Sequence, residues 1–246
     1  MKKACVVVLV LALLPTGLAF SQGGFAELGF GFGFGEGTQQ ITSTLSGGNL
    51  TGVYGSFGGG FRIGATGGYM FNKNFGADFG FMYLIGKSFD GDQQNGIKLN
   101  YSGSGFLFVP GVIVSTGADK IDPYARLGIA LGFLKVNLTG TGNNTEYSDT
   151  RSGGITLGML AGIGAAYHIT HMLSIYGEFT VLSLTQNPST QEITKFTVNG
   201  QAQPTQGKKL DYKDTIDQNN QAPNDVLAVR NPFGSIGISI GARVHF

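Results

Sequence analysis

Twelve residues, Ser235-Ile236-Gly237-Ile238-Ser239-Ile240-Gly241-Ala242-Arg243-Val244-His245-Phe246, alternate without a break between two kinds of side chain. One face is entirely apolar and includes Ile236 and Phe246, whereas the other carries serines, glycines, Arg243 and His245. Alternation with a period of two predicts a β-strand that has one face in an apolar medium. Because the alternation continues to Phe246, we expect the strand to end on that aromatic residue.

The same stretch resembles the C-terminal assembly signal of bacterial outer-membrane β-barrels. That signal places a polar residue, a glycine, an apolar residue and a terminal aromatic residue at set spacings, and Ser239, Gly241, Val244 and Phe246 match it. The resemblance implies that the chain inserts into the cell outer membrane, with the barrel-assembly machinery and periplasmic chaperones as partners. An edge strand of a soluble sheet is the alternative interpretation of the alternation alone.

Residues 1–21 have the composition of an export signal that is cleaved. Two lysines open the segment, residues 4–14 form an uncharged apolar run, and small residues follow. We expect cleavage after Ser21, with Ala19 as the alternative site. The run is shorter than the roughly 20 residues that a transmembrane helix needs. The one cysteine, Cys5, lies inside this segment and too near its start for a lipoprotein site.

Residues 22–246 are predicted to form one domain. Removing the two signal lysines changes the formal charge from +1 to −1, so no basic excess points to nucleic acid. Charged residues make up 13% of the chain, about half the usual soluble share, and no later apolar run reaches the length of a spanning helix. This composition suits a membrane barrel better than a soluble globule.

Eight segments of alternating residues are predicted as strands. Their approximate bounds are 25–35, 57–71, 75–87, 105–115, 123–138, 154–169, 173–184 and 232–246. Connections that are short and long in turn are typical of transmembrane barrels, which have short periplasmic turns and long extracellular loops. We therefore predict an all-β fold, an eight-stranded antiparallel transmembrane up-and-down β-barrel with long extracellular loops. Pro110 predicts a bulge or kink in the fourth strand.

The whole of this domain resembles the small OmpA/OmpX-like family of bacterial outer-membrane barrels. Residues 122–133, with a Pro-Tyr pair followed by spaced glycines, resemble a recurrent strand opening of that family. The resemblance implies lipid bilayer and lipopolysaccharide surroundings, no cofactor, and a structural or interactive role rather than an enzymatic one. The absence of tryptophan departs from the family pattern, so an interfacial girdle would consist of tyrosine and phenylalanine.

Six charged residues in the predicted strands take the phase opposite to the apolar one. They are Glu27, Arg62, Asp78, Arg126, Glu178 and Arg243. Neighbouring strands would place Glu27 beside Arg62 and Arg243, Arg62 beside Asp78, and Arg243 beside Glu178, while Arg126 would have to reach across the lumen. An eight-stranded barrel is just wide enough to be filled by side chains, so we predict an ion-pair network that plugs the lumen. The alternative is a water-filled lumen in which these charges are solvated.

Other motifs give weaker indications of chemistry. Residues 90–96 resemble a calcium loop but are out of register and lack the distal glutamate, and the glycine-phenylalanine repeat at 29–35 lacks the spacing of a phosphate loop. His168, His171 and His245 fall near the same end of three strands, where they could approach one another as metal ligands. Interfacial or turn histidines are commoner, so we predict neither a catalytic nor a metal site.

Residues 185–231 form the longest polar connection. Within it, 193–198 alternate and are followed by an Asn-Gly turn, which predicts a hairpin arm above the membrane. Long loops on a rigid scaffold often carry binding, so we expect a role in adhesion, surface binding or envelope integrity. The alternatives are an OmpW-like channel for small or hydrophobic solutes, a lipid A-modifying barrel enzyme and a soluble lipocalin-like barrel.

Overall fold

A computed structural model describes residues 23–37, 39–46, 49–92, 96–216 and 222–246. The predicted export signal, residues 1–21, lies outside the described residues. The strands are β1 (Gly24–Gly35), β2 (Gln39–Ser46), β3 (Asn49–Gly55), β4 (Gly60–Met70), β5 (Phe75–Gly86), β6 (Phe89–Asp92), β7 (Lys98–Ser115), β8 (Ile121–Gly142), β9 (Thr145–Ser152), β10 (Thr156–His168), β11 (Leu173–Gln186), β12 (Thr190–Val198), β13 (Gln201–Ala202), β14 (Lys209–Lys213), β15 (Asp225–Leu227), β16 (Asn231–Pro232) and β17 (Ser235–His245). No helix in this part of the chain is long and apolar enough to cross a membrane.

Eight of these strands close into an antiparallel barrel. The order around the barrel is β1, β4, β5, β7, β8, β10, β11 and β17, and β17 returns to β1 in a continuous register from Phe25 opposite His245 to Gly35 opposite Ser235. The eight-stranded antiparallel barrel predicted from the sequence is thus confirmed. Because the barrel is closed, it has no free sheet edge. A sheet that spans a membrane must be closed in this way, since unpaired backbone groups are costly in lipid.

The connections alternate in length around the barrel. Residues 71–74, 116–120 and 169–172 make short turns at one end, which we call the short-turn end. The opposite end, the long-loop end, carries the remaining strands. There β7 and β8 extend beyond the predicted bounds because they continue to pair with one another as far as Lys98 opposite Thr141.

Two further expectations about the strands differ from the structure. The register between β7 and β8 is the same on both sides of Pro110, although Val109 and Pro110 drop out of the ladder. The proline therefore interrupts this ladder, as a residue without an N–H must, but introduces no bulge. Residues 57–59, predicted as strand, instead form a turn before β4 in which Phe57 is buried.

The outer face of the barrel is an apolar band. Along β5 the outward residues run from Phe75 to Ile85. Ten steps of about 3.3 Å, inclined at about 40°, make the band about 25 Å tall. Rings cover much of β5, β7 and β8, where the centroids of Phe81 and Phe108 lie 5.2 Å apart. At the short-turn end, the band ends at aromatic residues such as Phe71 and Phe75, whose ring centroids lie 5.9 Å apart.

Side chains pack the inside of the barrel in layers. Near the short-turn end, Phe25, Ile113, Tyr124 and Ala166 form a small buried cluster. A larger apolar cluster fills the half nearer the long loops: Phe57, Leu84, Phe89, Leu107, Val109, Ala130, Leu134, Val136, Leu160, Leu182, Leu184 and Phe233. The charged side chains lie between these two layers. The interior is therefore packed, and it is apolar at both ends of the charged layer.

Beyond the long-loop end, the barrel sheet continues from β8, whereas β2 and β3 form a separate two-stranded sheet. Strands β9, β12, β14 and β15 add to the barrel sheet in that order, and we call them the arm. The hairpin predicted from 193–198 and the Asn-Gly turn is present, because β12 pairs with β13 and both Asn199 and Gly200 have positive φ, 50° and 77°. Glycine and asparagine tolerate this backbone region, which two-residue hairpins require.

Candidate functional site: the charged layer of the lumen and the arm

Arg126 is the centre of the charged layer. From β8 its Nη2 donates to both Glu27 oxygens, at 2.9 and 3.0 Å. Its Nε lies 3.2 Å from Asp78 Oδ2 and 3.6 Å from Glu178 Oε2. One guanidinium thus contacts carboxylates from β1, β5 and β11. The sequence pattern required Arg126 to reach across the lumen, and the structure places it there.

Arg243 joins the same group from β17. Its Nε donates to Glu27 Oε1 at 2.7 Å, and its Nη2 lies 2.6 Å from the same oxygen. The guanidinium carbon lies 4.9 Å from the ring centroids of both Phe25 and Tyr124. A planar guanidinium can pair with a carboxylate and stack on rings at once. Arg243 therefore joins the charged layer to the aromatic layer beneath it.

Arg62 stands apart, contrary to the neighbour pairs expected from the sequence. It donates to Thr180 Oγ1, to Ser235 Oγ and to the carbonyl of Gly58. Within the described chain it has no carboxylate within 4 Å, and Arg243 pairs with Glu27 rather than Glu178.

The register explains why Arg62 misses the expected partners. Glu27 lies opposite Thr66, and Asp78 lies opposite Gly68. Arg62 therefore lies four and six residues before those two partner positions in β4, nearer the long-loop end. The sequence placed these residues on adjacent strands and on the same face, but strand register set their heights.

Two inward glycines make room for the carboxylates. A Cβ on Gly111 would lie 2.8 Å from Asp78 Oδ1, and one on Gly162 would lie 2.7 Å from Glu178 Cδ. Side-chain carbon is not found so close to other heavy atoms, so larger residues at these positions would displace the acids. These two glycines thus allow Asp78 and Glu178 to join Glu27 around Arg126.

Two phenylalanines cover the lumen at the long-loop end. The centroids of Phe57 and Phe233 lie 5.5 Å apart, and both side chains are almost fully buried. Backbone hydrogen bonds of 2.9 Å from Phe57 to Pro232 and 2.8 Å from Phe233 to Leu184 hold their segments over the barrel. Beside the charged layer lies a cavity of about 60 Å³ that Arg62 and Glu178 help to line, room for a few waters.

The residues of the predicted assembly signal lie on β17 and just after it. Ser239 and Gly241 face inward, and Val244 faces outward. Phe246 is 74% exposed, and its N–H donates to the carbonyl of Gly24 at 2.9 Å. The terminal aromatic ring thus adds no packing to the interior.

The histidines meet through a serine that the sequence pattern did not single out. His168 Nδ1 and His245 Nε2 lie 2.7 and 3.0 Å from Ser174 Oγ, and the two rings are 5.4 Å apart. His171 lies in the exposed turn after β10. No group of three metal-ligand side chains occurs in the described ranges. Asp90, the first residue of the calcium-like loop, accepts from Asn100 Nδ2 at 2.8 Å, and 93–95 lie outside the described residues.

A polar cluster lies on the arm around Asp149, which is 1% exposed. Its Oδ2 accepts from the Tyr147 hydroxyl at 3.0 Å and from Gln191 Nε2 at 2.8 Å, and Arg151 Nε lies 3.6 Å from Oδ1. Burial raises the pKa of Asp149, and the opposing effect of Arg151 is smaller. Burial, followed by the Asp149 charge, also raises the pKa of Tyr147 to about 12. The sequence did not indicate this cluster, because β9 and β12 are far apart in the chain.

Solved structures of other proteins resemble this one to different extents. A major outer membrane protein from Thermus thermophilus is 14% identical, with a TM-score of 0.55 over 92% of this chain and 100% of that one. Ail, the attachment invasion locus protein of Yersinia pestis, in complex with the heparin analogue sucrose octasulfate, is 10% identical, with a TM-score of 0.45 over 92% and 100%. Neisserial surface protein A is 13% identical, with a TM-score of 0.40 over 91% and 97%. At 14% identity, the likeness to the Thermus thermophilus protein concerns the fold alone.

Sequence comparison identifies the family. No curated protein sequence matches the chain significantly. The family model described as the outer membrane protein beta-barrel domain matches residues 6–225, which is most of the chain. The short turns and long loops of the structure agree with the periplasmic and extracellular sides of such barrels. This chain therefore belongs to the outer membrane protein beta-barrel family and resides in the outer-membrane bilayer.

Proposed function

We propose that this protein is a non-conducting scaffold of the outer membrane whose lumen is plugged by internal ion pairs and whose extracellular loops carry its interactions. The observation that carries the proposal is the position of Arg126, which contacts carboxylates from three other strands across the lumen. A side chain held at the centre of the lumen blocks passage through it.

The energetics favour a closed lumen over a hydrated one. Each of the three acids is less than 10% exposed, and a buried charge is costly unless it is paired. Apolar layers lie on both sides of the charged residues. An ion entering the lumen would have to separate these pairs and also pass the buried rings of Phe57 and Phe233.

The arm supports the interactive part of the proposal. It projects a sheet of four strands beyond the barrel, and the face that continues the outward face of the barrel is polar, including Glu146, Lys195 and Lys209. Lys195 Nζ lies 2.5 Å from Glu146 Oε2, and the hydrogen bond from Lys195 lowers the pKa of Glu146. A loop surface built on regular pairing is pre-organised for binding.

We infer a role without catalysis for the same molecule. The histidine and serine that approach one another, His168 and Ser174, lie on lumen-facing positions of β10 and β11. A lipid A-modifying barrel enzyme acts on a substrate in the bilayer, so it would need such a pair on the lipid-facing side. Assembly through Ser239, Gly241, Val244 and Phe246 by the barrel-assembly machinery, after export directed by residues 1–21, completes the proposal.

Single-channel conductance of the refolded protein in a planar bilayer tests the plug. We expect no openings from protein whose folding is shown by a heat-modifiable band on unboiled gels. Steady openings from such protein would refute the plug and favour the OmpW-like channel.

A further inference from the structure

A hollow of about 320 Å³ lies on the outer surface of the barrel where β8 leaves the apolar band. Its floor consists of the rings of Tyr83, Phe106 and Phe133. The centroids of Tyr83 and Phe106 lie 4.8 Å apart, and Phe106 and Phe133 are 46% and 50% exposed. The floor is therefore a continuous apolar surface that belongs to the lipid-facing side.

The rim of the hollow on the side of the long-loop end carries hydrogen-bond donors that have no acceptor. It is formed by Lys135, Ser152, Gly153 and Gly154. Among the described residues, neither the Lys135 ammonium, the Ser152 hydroxyl nor the N–H groups of the two glycines donate a hydrogen bond. Both glycines have positive φ, 87° and 74°.

The rim lies at the upper border of the apolar band. Lys135 is the next outward residue after Phe133 on β8, and its register partner on β7 is Ser104. Ser104 in turn lies opposite Ile85, the last apolar residue of β5. Ile85, Ser104 and Lys135 thus lie side by side, where the outward residues change from apolar to polar. This position corresponds to the level of the lipid headgroups.

Lys135 also differs from Lys87, the lysine that follows Ile85 on the neighbouring side. Lys87 lies over the ring of Phe89, with Nζ 5.7 Å from its centroid. Lys135 has no ring, carboxylate or carbonyl partner in the described chain, and its charge is therefore free to pair with a ligand.

We propose that this hollow binds a phosphate-bearing lipid of the outer leaflet. Its phosphate would pair with Lys135 and accept from Ser152 and the glycine N–H groups, and one acyl chain would lie on the rings of Tyr83, Phe106 and Phe133. A second copy of the barrel is the poorer occupant, because the rim offers only unpartnered donors and needs an acceptor-rich group. The site lies on the lipid-facing wall, outside the plug, and its rim includes Ser152, the last residue of β9.

Native mass spectrometry of the refolded protein, titrated with phosphatidylglycerol or phosphatidylcholine, tests the headgroup. We expect the wild type to retain phosphatidylglycerol better, because the phosphate of phosphatidylcholine is neutralised by its own choline. We expect Lys135→Gln to weaken the retention of phosphatidylglycerol about fivefold, as for one lysine at an anionic lipid surface. Lys73→Gln is the matched control, because Lys73 is an exposed lysine at the opposite border, in the turn 71–74. Equal retention by wild type and Lys135→Gln, each shown to be folded by heat-modifiability, would overturn the proposal.

A second pair of measurements tests that the occupant is a lipid. Phe133→Ala removes part of the floor, and we expect it to weaken the retention of both lipids while preserving the preference for phosphatidylglycerol. Inorganic phosphate at the concentration of the lipid should not displace the bound lipid, because it lacks an acyl chain. Displacement by inorganic phosphate, or unchanged retention by Phe133→Ala, would overturn the assignment of a lipid.

Discussion

Replacing Arg126 with methionine removes the centre of the charged layer without leaving a large void. Asp78 and Glu178 then have no cation within 4 Å in the described chain, whereas Glu27 keeps Arg243. Breaking a buried ion pair by removing one partner costs about 3–5 kcal/mol. Because two acids lose their partner together, we expect the free energy of unfolding to fall by about 4 kcal/mol or more.

Urea titration in detergent micelles, followed by the heat-modifiable gel shift and circular dichroism, measures this loss. The decisive comparison is the triple variant Arg126→Met, Asp78→Asn, Glu178→Gln, which leaves no carboxylate of the charged layer without a cation, because Glu27 keeps Arg243. Replacing a whole buried ionic group is often close to neutral, so the triple variant should recover at least half of the loss. Lys195→Ala, at the exposed pair with Glu146, should change nothing measurable.

Two results would refute this account of the charged layer. One is a loss below about 1 kcal/mol in Arg126→Met, the range of exposed pairs. The other is a triple variant no more stable than the single one, since the cost would then come from lost packing and not from isolated charges.

Three other perturbations separate the remaining parts of the molecule. Because burial raises the pKa of Asp149, the folded arm binds the proton of this carboxyl group more tightly than the unfolded chain does. The stability that the protonated Asp149 contributes is therefore present below the ordinary aspartate pKa and is lost as the pH rises through the raised pKa. Hydrogen-exchange protection of β9 and β12 should therefore fall over that interval, and Asp149→Asn should remove the dependence; an unchanged profile in the variant would contradict the assignment. Phe57→Ala empties a site that is 1% exposed and should lower the free energy of unfolding by about 3–5 kcal/mol, while conductance stays silent because the ion pairs remain; openings would show that the ring alone closes the barrel. Deleting Phe246, which is 74% exposed, should leave stability in detergent nearly unchanged but lower the amount of barrel in the outer membrane of cells, and an equal loss in both assays would indicate a packing role instead.

The sequence by itself determined the barrel, because the information needed is local. Alternation shows which side chains share a face, and the lengths of the connections show which strand ends lie together. Neither the alternation nor the connection lengths depend on the register between neighbouring strands. The same reasoning put six charged residues on the inner face, where the structure has them: Glu27, Arg62, Asp78, Arg126, Glu178 and Arg243.

Only the tertiary structure decided which of those charges meet. Partner choice depends on register and strand tilt, which involve residues far apart in the chain, so Arg62 reaches Thr180 instead of Glu27. The same holds for the donors around Lys135, which become one site only where β8 meets the connection after β9. A period-two pattern specifies a side of the sheet but not a height along it, and height is what brings charged groups into contact.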